Sequence, residues 1–320
     1  MAVGAPCLPE LPAAVRVREV GPRDGFQNEP EVIATAEKIA LVEALARTGV
    51  GRIEVTSFVS PRVIPQLADA EQVLRGAEIP DGVLVSVLLP NERGLQRALA
   101  VRERAGARID QVTVFLSASE SHNRHNVNAP VAVSLAAVLR VIASARAEGL
   151  RCEGVISTAF GCPYEGRIDP QAVLEIARAL AAGGAQEVAL ADTTGMANPR
   201  QVQTLFLRAR AALGQEVELT AHFHNTRGQG LANVLGALQV GIDSFEASFG
   251  ELGGCPVPPG ATGNIASEDL VSMLAELDIR TGVDLDALIA CAVRAQELLG
   301  RPLGSHLLRA GPLRWQPSEL

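Results

Sequence analysis

Residues 151–195 read RCEGVISTAFGCPYEGRIDPQAVLEIARALAAGGAQEVALADTTG. A β-branched run, Arg151 to Thr158, is followed by a stretch from Pro170 to Ala182 whose apolar residues recur at helical spacing, and a second short run, Glu187 to Ala191, closes the unit. Proline at the start of the helical stretch and Gly183 at its end are the expected start and stop signals. Strand, helix and strand in this order make a parallel βαβ unit. The alternation continues outward in both directions. Further runs lie at Val15 to Val20, Arg52 to Ser57, Val83 to Leu89, Gln111 to Leu116, Glu218 to Phe223 and Ser244 to Ala247, giving eight. Helical segments fall between them at Thr35 to Thr48, Pro130 to Glu148, Pro199 to Leu213 and Leu231 to Val240, with Gly49, Gly149 and Gly241 as further stops. Eight units fit a closed α/β (β/α)₈ TIM barrel better than an open doubly wound sheet, which has five or six strands.

The 320 residues suit one such barrel. The reading divides them into an N-terminal segment 1–14, a barrel 15–266 and C-terminal helices 267–320 packed on it, with helical stretches at Ser267 to Ile279 and Asp284 to Leu299. Hydrophobic residues make up 48% of the chain and charged ones 20%, which excludes a disordered polyelectrolyte. The net charge of −8 and the lack of any basic run argue against nucleic acid as a partner, and no segment reads as a membrane span. Five cysteines, at 7, 152, 162, 255 and 291, form no CxxC pair and read as a reduced, cytoplasmic set. The opening MAVGAPCLPELPAAV carries no export or transit signal, and Glu319 spoils the likeness of the last three residues to a peroxisomal address.

In a (β/α)₈ barrel the reactive residues stand at the C-terminal ends of the strands. There the chain places Gly21-Pro22-Arg23-Asp24-Gly25, Glu54, Asp192-Thr193-Thr194-Gly195, His222-Phe223-His224-Asn225 and Gly253-Gly254-Cys255-Pro256, with Asn264 beyond. Histidines two apart on a strand share a face, so His222 and His224 can reach one point. Alone they read equally as strand-end histidines bonded to carbonyls; an acid after another strand, Asp24, turns them into a ligand set for a catalytic divalent ion. With oxygen ligands completing the shell and no thiolate, Mg²⁺ or Mn²⁺ suits it better than structural zinc. Arg23 offers a guanidinium fork to a carboxylate or a developing oxyanion, and is otherwise a turn arginine. Glu54, a charge inside an apolar run, must find a cation such as Arg23 or shift its pKa. Cys255 stands in a loop of glycines and prolines, as a proton donor, a nucleophile or a small buried hydrophobe. Cys162 is a weaker candidate. Signatures of phosphate-binding loops, serine hydrolases, dinucleotide sites and HExxH zinc sites are absent.

The motifs GPRDGFQNE (21–29), EVTSFVSP (54–61), SASESHNRHNVN (117–128), FGCPYEG (160–166), ADTTG (191–195), HFHNT (222–226) and GELGGCPVPPGATGN (250–264) resemble those of the 3-hydroxy-3-methylglutaryl-CoA lyases, in the wider group of metal-dependent barrel lyases and synthases. The resemblance implies that Asp24, His222, His224 and Asn264 ligate the ion, that Arg23 polarises the substrate, that Cys255 transfers a proton, and that Glu54 and Asp192 are supporting acids. It further implies Arg23, Gln27, Ser57, Asn126, Thr193 and Arg227 as substrate contacts, an acyl-CoA as partner, and a homodimer or higher homo-oligomer. The implied reaction is retro-Claisen cleavage of a 3-hydroxyacyl-CoA to acetyl-CoA and a keto acid. Citramalyl-CoA or a longer 3-hydroxy-3-alkylglutaryl-CoA are the alternative substrates, and a non-catalytic binding barrel is the rival from another class. Two departures stand out. Asn225 and Arg227 replace the usual acid and tyrosine, making this loop about two charges more positive and pointing to an effect on substrate choice. Glu251 replaces a smaller residue.

Overall fold

The structure is a computed structural model that describes residues 10–254 and 263–314. Eight strands, β1 (Arg16–Glu19), β2 (Arg52–Ser57), β3 (Leu84–Leu88), β4 (Gln111–Ser117), β5 (Arg151–Ser157), β6 (Glu187–Asp192), β7 (Glu218–Phe223) and β8 (Ser244–Ala247), close a barrel in which every neighbouring pair is parallel. The helices α1 (Thr35–Ala46), α2 (Ala70–Gly76), α3 (Glu92–Ala105), α4 (Glu120–Val127), α5 (Val131–Ala147), α6 (Pro170–Ala182), α7 (Pro199–Leu213) and α8 (Gly230–Leu238) occupy the seven crossovers. A two-residue ribbon, Gly161–Cys162 with Gly166–Arg167, follows β5. The run boundaries read from sequence hold to within a residue or so, because β-branched runs bounded by helix caps leave little freedom.

After β8 comes α9 (Ser267–Glu276), which packs back against β1. It is therefore the eighth helix of the alternation, and the boundary drawn at 266/267 falls inside the eighth βα unit. The extension proper is α10 (Leu285–Leu299) and α11 (Leu307–Ala310). Among the described residues no single helix is long and apolar enough to cross a membrane.

Apolar residues of the strands, such as Val17, Ile53, Val188 and Phe245, join the helices in one continuous core. The barrel interior is ionic instead. Arg52 donates to Glu187 at 3.2 Å and Glu246 at 2.9 Å, Arg18 reaches Glu153 at 3.2 Å and also pairs with Glu187, and Thr220 donates to Glu187 at 2.6 Å. These charges are tolerable in so dry a place because each has several partners.

One buried acid lies outside this network. Glu19, at the end of β1, accepts from the backbone of Gly21 at 2.7 Å, the backbone of Phe249 and the hydroxyl of Ser267 at 2.7 Å. Burial pushes its pKa up to about 8. A carboxyl that holds its proton more tightly when folded adds stability below its unfolded value of 4.5, and that contribution is lost as the pH climbs through about 8. The melting temperature is thus expected to fall between pH 5 and 9, and less steeply in Glu19→Gln, which cannot ionise. Equal slopes in thermal melts of the two proteins would contradict this assignment.

Candidate active site

The stretch Gly21–Gly25 after β1 winds as a single π-helical turn, in which the Val20 carbonyl accepts from both Arg23 N at 3.1 Å and Asp24 N at 2.7 Å. The turn sets Arg23 and Asp24 side by side at the barrel mouth. Gly21 is required there: a Cβ would lie 2.5 Å from the Phe249 ring and 2.8 Å from Glu19. Across the mouth, His222 and His224 come from the end of β7, their Nε2 atoms 3.1 Å apart. Nitrogen or oxygen atoms of Asp24, His222 and His224 all lie within 4.8 Å of one another, and the three residues are buried.

Glu246 of β8 accepts from His222 Nδ1 at 2.9 Å, so Nε2 presents its lone pair to the other two ligands. Burial opposes protonation of His222, yet the hydrogen bond and charge of Glu246 outweigh it and raise its pKa. For Asp24 burial opposes ionisation, and Arg23 with the two histidines outweighs it and holds the carboxyl below the usual range. Asn264 donates Nδ2 to Asp24 at 2.8 Å, while its buried Oδ1 has no hydrogen-bond partner. Two facing imidazole nitrogens, a carboxylate kept ionised and an uncommitted amide oxygen fit a divalent cation. Gly253 closes this corner with φ +100°, where a Cβ would stand 2.6 Å from Asn264 Nδ2.

Arg23 donates Nη1 to Asp24 at 2.6 Å and Nε to Glu54. Glu54 thus has the cation its sequence context demanded. A bulge in the β2–β3 register between Glu54 and Thr56 marks the place where that carboxylate meets the barrel mouth. Burial keeps Glu54 on the raised side of its ordinary pKa, with Arg23 pulling the other way.

Arg23, Asp24, His222, His224 and Glu246 face a cavity of about 330 Å³, whereas Glu54 and Asn264 touch these residues without lining it. Of the residues expected at the site, Arg23, Asp24, Gln27, Asn126, Thr193, His222 and His224 line it. Gln27 also donates to Asp24 at 2.9 Å. Asp192 does not line it, because Ala191 and Thr193 take the inward positions of β6 and Asp192 faces the other way. Its Oδ1 accepts from Met196 N at 2.8 Å and Ala197 N at 3.0 Å, its Oδ2 is buried without a partner, and burial pushes its pKa to about 7. Ser57 is buried behind the wall, accepting from Val59 N at 3.0 Å. Cys255 lies outside the described residues.

Arg227 also stands away from the cavity. Its Nη1 donates to the carbonyls of Thr194 at 3.0 Å and Gly195 at 2.9 Å, so it fastens two loops together and the geometry gives it no substrate contact. Asn225 and Glu251 prove to be neighbours: Asn225 Nδ2 donates to Glu251 Oε2 at 3.5 Å. The carboxylate missing at 225 is thereby supplied from 251, which offsets one of the two charges counted from the loop alone. Glu251 takes a left-handed backbone, φ 61°, and its side chain occupies the space a Cβ on Gly304 would need. Asn225→Asp would set two half-buried carboxylates against each other and is expected to cost about 1–2 kcal/mol at pH 8, recovered by adding Glu251→Gln. Thermal melts of the single and double variants check this; a single variant as stable as the parent would contradict it.

The structure adds residues that the sequence reading passed over. His122 lines the cavity from the start of α4, its Nδ1 2.6 Å from the Ser117 hydroxyl and its backbone N capped by Ser119 Oγ at 3.1 Å. Burial lowers its pKa, so the ring is neutral at neutral pH. Its signal was the Ser119-x-x-His122 helix start within a motif already noted. Glu246 could have been found as the polar residue two after Ser244 in β8, on the inward face.

The family described as HMGL-like matches residues 14–293. The chain is 45% identical over 298 residues to hydroxymethylglutaryl-CoA lyase YngG of Bacillus subtilis, covering 93% of this chain and 97% of that one. It is 43% identical to (R)-citramalyl-CoA lyase of Chloroflexus aurantiacus, covering 94% and 96%. A solved structure of an HMG-CoA lyase from Acinetobacter baumannii, in complex with coenzyme A and 3-methylmalate, superposes with a TM-score of 0.88 at 41% identity, covering 95% of this chain and 98% of that one.

Proposed function

The chain belongs to the HMGL-like family and is a carbon–carbon lyase, and we propose that it splits 3-hydroxy-3-methylglutaryl-CoA into acetyl-CoA and acetoacetate with the help of one Mg²⁺ or Mn²⁺. The observation that carries this reading is the convergence of Asp24, His222, His224 and Arg23 on one cavity. Held by Asp24, His222, His224 and Asn264, a divalent cation would supply the Lewis acidity that makes the tertiary hydroxyl of the substrate easier to deprotonate.

As that proton leaves, the carbinol carbon becomes a ketone and the pair of the breaking C–C bond moves into the thioester, as an enolate. Arg23 is placed to stabilise the enolate oxygen. Its Nε and Nη1 are held by Glu54 and Asp24, so the fork is fixed before substrate arrives and Nη2 is left for the ligand. Protonation of the enolate carbon yields acetyl-CoA, and the resemblance assigns that proton to Cys255. Asp192, turned away from the cavity, braces the loop after β6 by accepting from the backbone of Met196 and Ala197. The cytoplasm stays the proposed location, supported by Cys152, Cys162 and Cys291 as free thiols.

The relative named as a citramalyl-CoA lyase makes that substrate the second reading. Incubation of the purified protein with each thioester, with and without EDTA, separates the two by their keto products. Acetoacetate with acetyl-CoA, lost on chelation and restored by Mg²⁺ or Mn²⁺, is the expected result. Pyruvate from citramalyl-CoA alone would move the assignment to the second substrate, and no acetyl-CoA from either would overturn both.

A further inference from the structure

A row of charged side chains inside the barrel ends at the metal ligand His222. Pairing of β7, β8, β1 and β2 sets His222 beside Glu246, Glu246 beside Arg18 and Arg18 beside Arg52. Arg18, next to Glu246 in this row, sends its guanidinium instead to Glu153 at 3.2 Å, to Glu218 at 3.3 Å and to Glu187. Arg52, one strand further off, is the guanidinium that reaches Glu246. Its Nη2 donates to Glu246 Oε1 at 2.9 Å and to Glu153 at 3.1 Å, while Nη1 donates to Glu187 at 3.2 Å. The other oxygen of Glu246, Oε2, accepts from His222 Nδ1 at 2.9 Å.

We propose that Arg52 is a positioning residue for the reaction: by holding one oxygen of Glu246 it commits the other to His222, and so keeps that imidazole turned toward the cation. The inference rests on the cation site of the lyase reading and extends it to a residue that touches neither cation nor substrate. Arg52 does not line the catalytic cavity; it lines a smaller one, of about 180 Å³, among the N-terminal ends of the strands with Arg16, Leu84 and Arg151.

Stability alone does not call for this arrangement. Barrels of this kind fill their interior with branched apolar side chains, and exchanging a buried ion pair for apolar residues of similar volume commonly leaves stability unchanged or raised. Here Arg18, Arg52, Glu153, Glu187 and Glu246 are each 5% exposed or less, three carboxylates to two guanidiniums. The uncompensated charge stands at the end of the row, where the N–H of His222 meets it. Glu246 also lines the catalytic cavity beside Arg23 and Asp24. Free to turn, its carboxylate would compete with substrate for Arg23 or for the cation itself. Gripped from below by Arg52, it stays with His222, and the fork of Arg23 stays open.

Arg52→Lys and Arg18→Lys form the test as a pair, since both make the same change in the same network and only Arg52 bonds Glu246. Lysine keeps the charge, but its single ammonium cannot span Glu187 and Glu246 as the fork does. Expected for Arg52→Lys are Mn²⁺ affinity reduced about tenfold or more, read from the electron paramagnetic resonance signal of the free ion, and kcat lowered about tenfold or more with KM within about threefold of the parent. Arg18→Lys is expected to stay within about twofold of the parent in both. Parent-like affinity and kcat in Arg52→Lys, or equal losses in the two variants, would overturn the proposal. Should lysine at 52 prevent folding, Glu246→Gln asks the same question, because its amide oxygen goes to Arg52 and its NH₂ turns to His222; Mn²⁺ held as tightly as by the parent then rules the link out. Nitrogen-15 NMR of the metal-free proteins gives a reading without metal. The neutral His222 ring of the parent is expected to carry its proton on Nδ1, and that of Arg52→Lys to carry it on Nε2 in at least about half of the molecules, since no other acceptor fixes Nδ1. If the parent releases no acetyl-CoA the lyase reading fails, and if it binds no Mn²⁺ the cation site fails. The tautomer still decides Arg52: protonation of Nδ1 to the same extent in both proteins contradicts its positioning role.

Discussion

Replacing His224 by alanine is expected to lower metal-dependent release of acetyl-CoA by about a thousandfold or more, with the melting temperature reduced by about 5 °C or less. The activity loss follows from geometry. His222 and His224 face each other across 3.1 Å, and with one imidazole gone Asp24, His222 and the amide oxygen of Asn264 are too few to hold and centre a cation. The fold survives because the residue stands at the mouth, above the ionic layers and the apolar core that close the barrel. Turnover measured over a range of Mg²⁺ and Mn²⁺ concentrations, beside a thermal melt, checks both halves. A variant that regains full kcat at high metal would show that His224 contributes affinity alone.

Arg23→Gln is expected to reduce kcat by about a hundredfold to a thousandfold and to change KM by about threefold or less, because the charge it meets develops mainly in the transition state. A second effect accompanies the first. Arg23 is the cation between two buried carboxylates, Asp24 and Glu54, so its loss leaves both unpaired and costs about 3 kcal/mol of stability. Glu54, already on the raised side of its ordinary pKa, should then take up a proton, so the melting temperature of the variant should drop more at pH 9 than at pH 6. Arg23→Lys keeps a charge and loses the fork, and should recover stability more fully than turnover. A change confined to KM would reduce Arg23 to a substrate anchor.

The barrel was legible because its strands are short β-branched runs separated by well-capped helices. What periodicity could not tell is which face of each strand looks inward. Arg16, Arg18, Arg52, Glu187, Glu218 and Glu246 alternate with apolar neighbours as in a strand wetted on one side, yet four of them are buried inside the closed barrel. Closure is a property of the whole sheet, and no single run carries it. Helix α4 escaped for a different reason: ESHNRHNV has no apolar stripe and is held by its ends, the Ser119 cap and the left-handed Asn128.

At the site, Asp24, His222 and His224 were legible as strand-end polar residues. Glu54 and Asp192 read alike in sequence, as acids at strand ends, and only the structure separates their surroundings, one paired with Arg23 and the other on backbone amides. Arg227 read as a substrate contact because loops at this face carry function. Its side chain is taken instead by two carbonyls of the neighbouring loop, a partnership no spacing reveals. The pairing of Asn225 with Glu251 joins residues 26 apart whose departures looked independent in sequence.

The claim on which the rest depends is that Asp24, His222 and His224 create one cation site per chain. Titration of metal-free protein with Mn²⁺, followed by the electron paramagnetic resonance signal of the free ion, measures this without reference to turnover. The parent is predicted to remove one equivalent of Mn²⁺ from solution, with Mg²⁺ competing for it, and the folded His224→Ala protein to remove none in the same concentration range. One equivalent bound with equal affinity by both proteins would contradict the account.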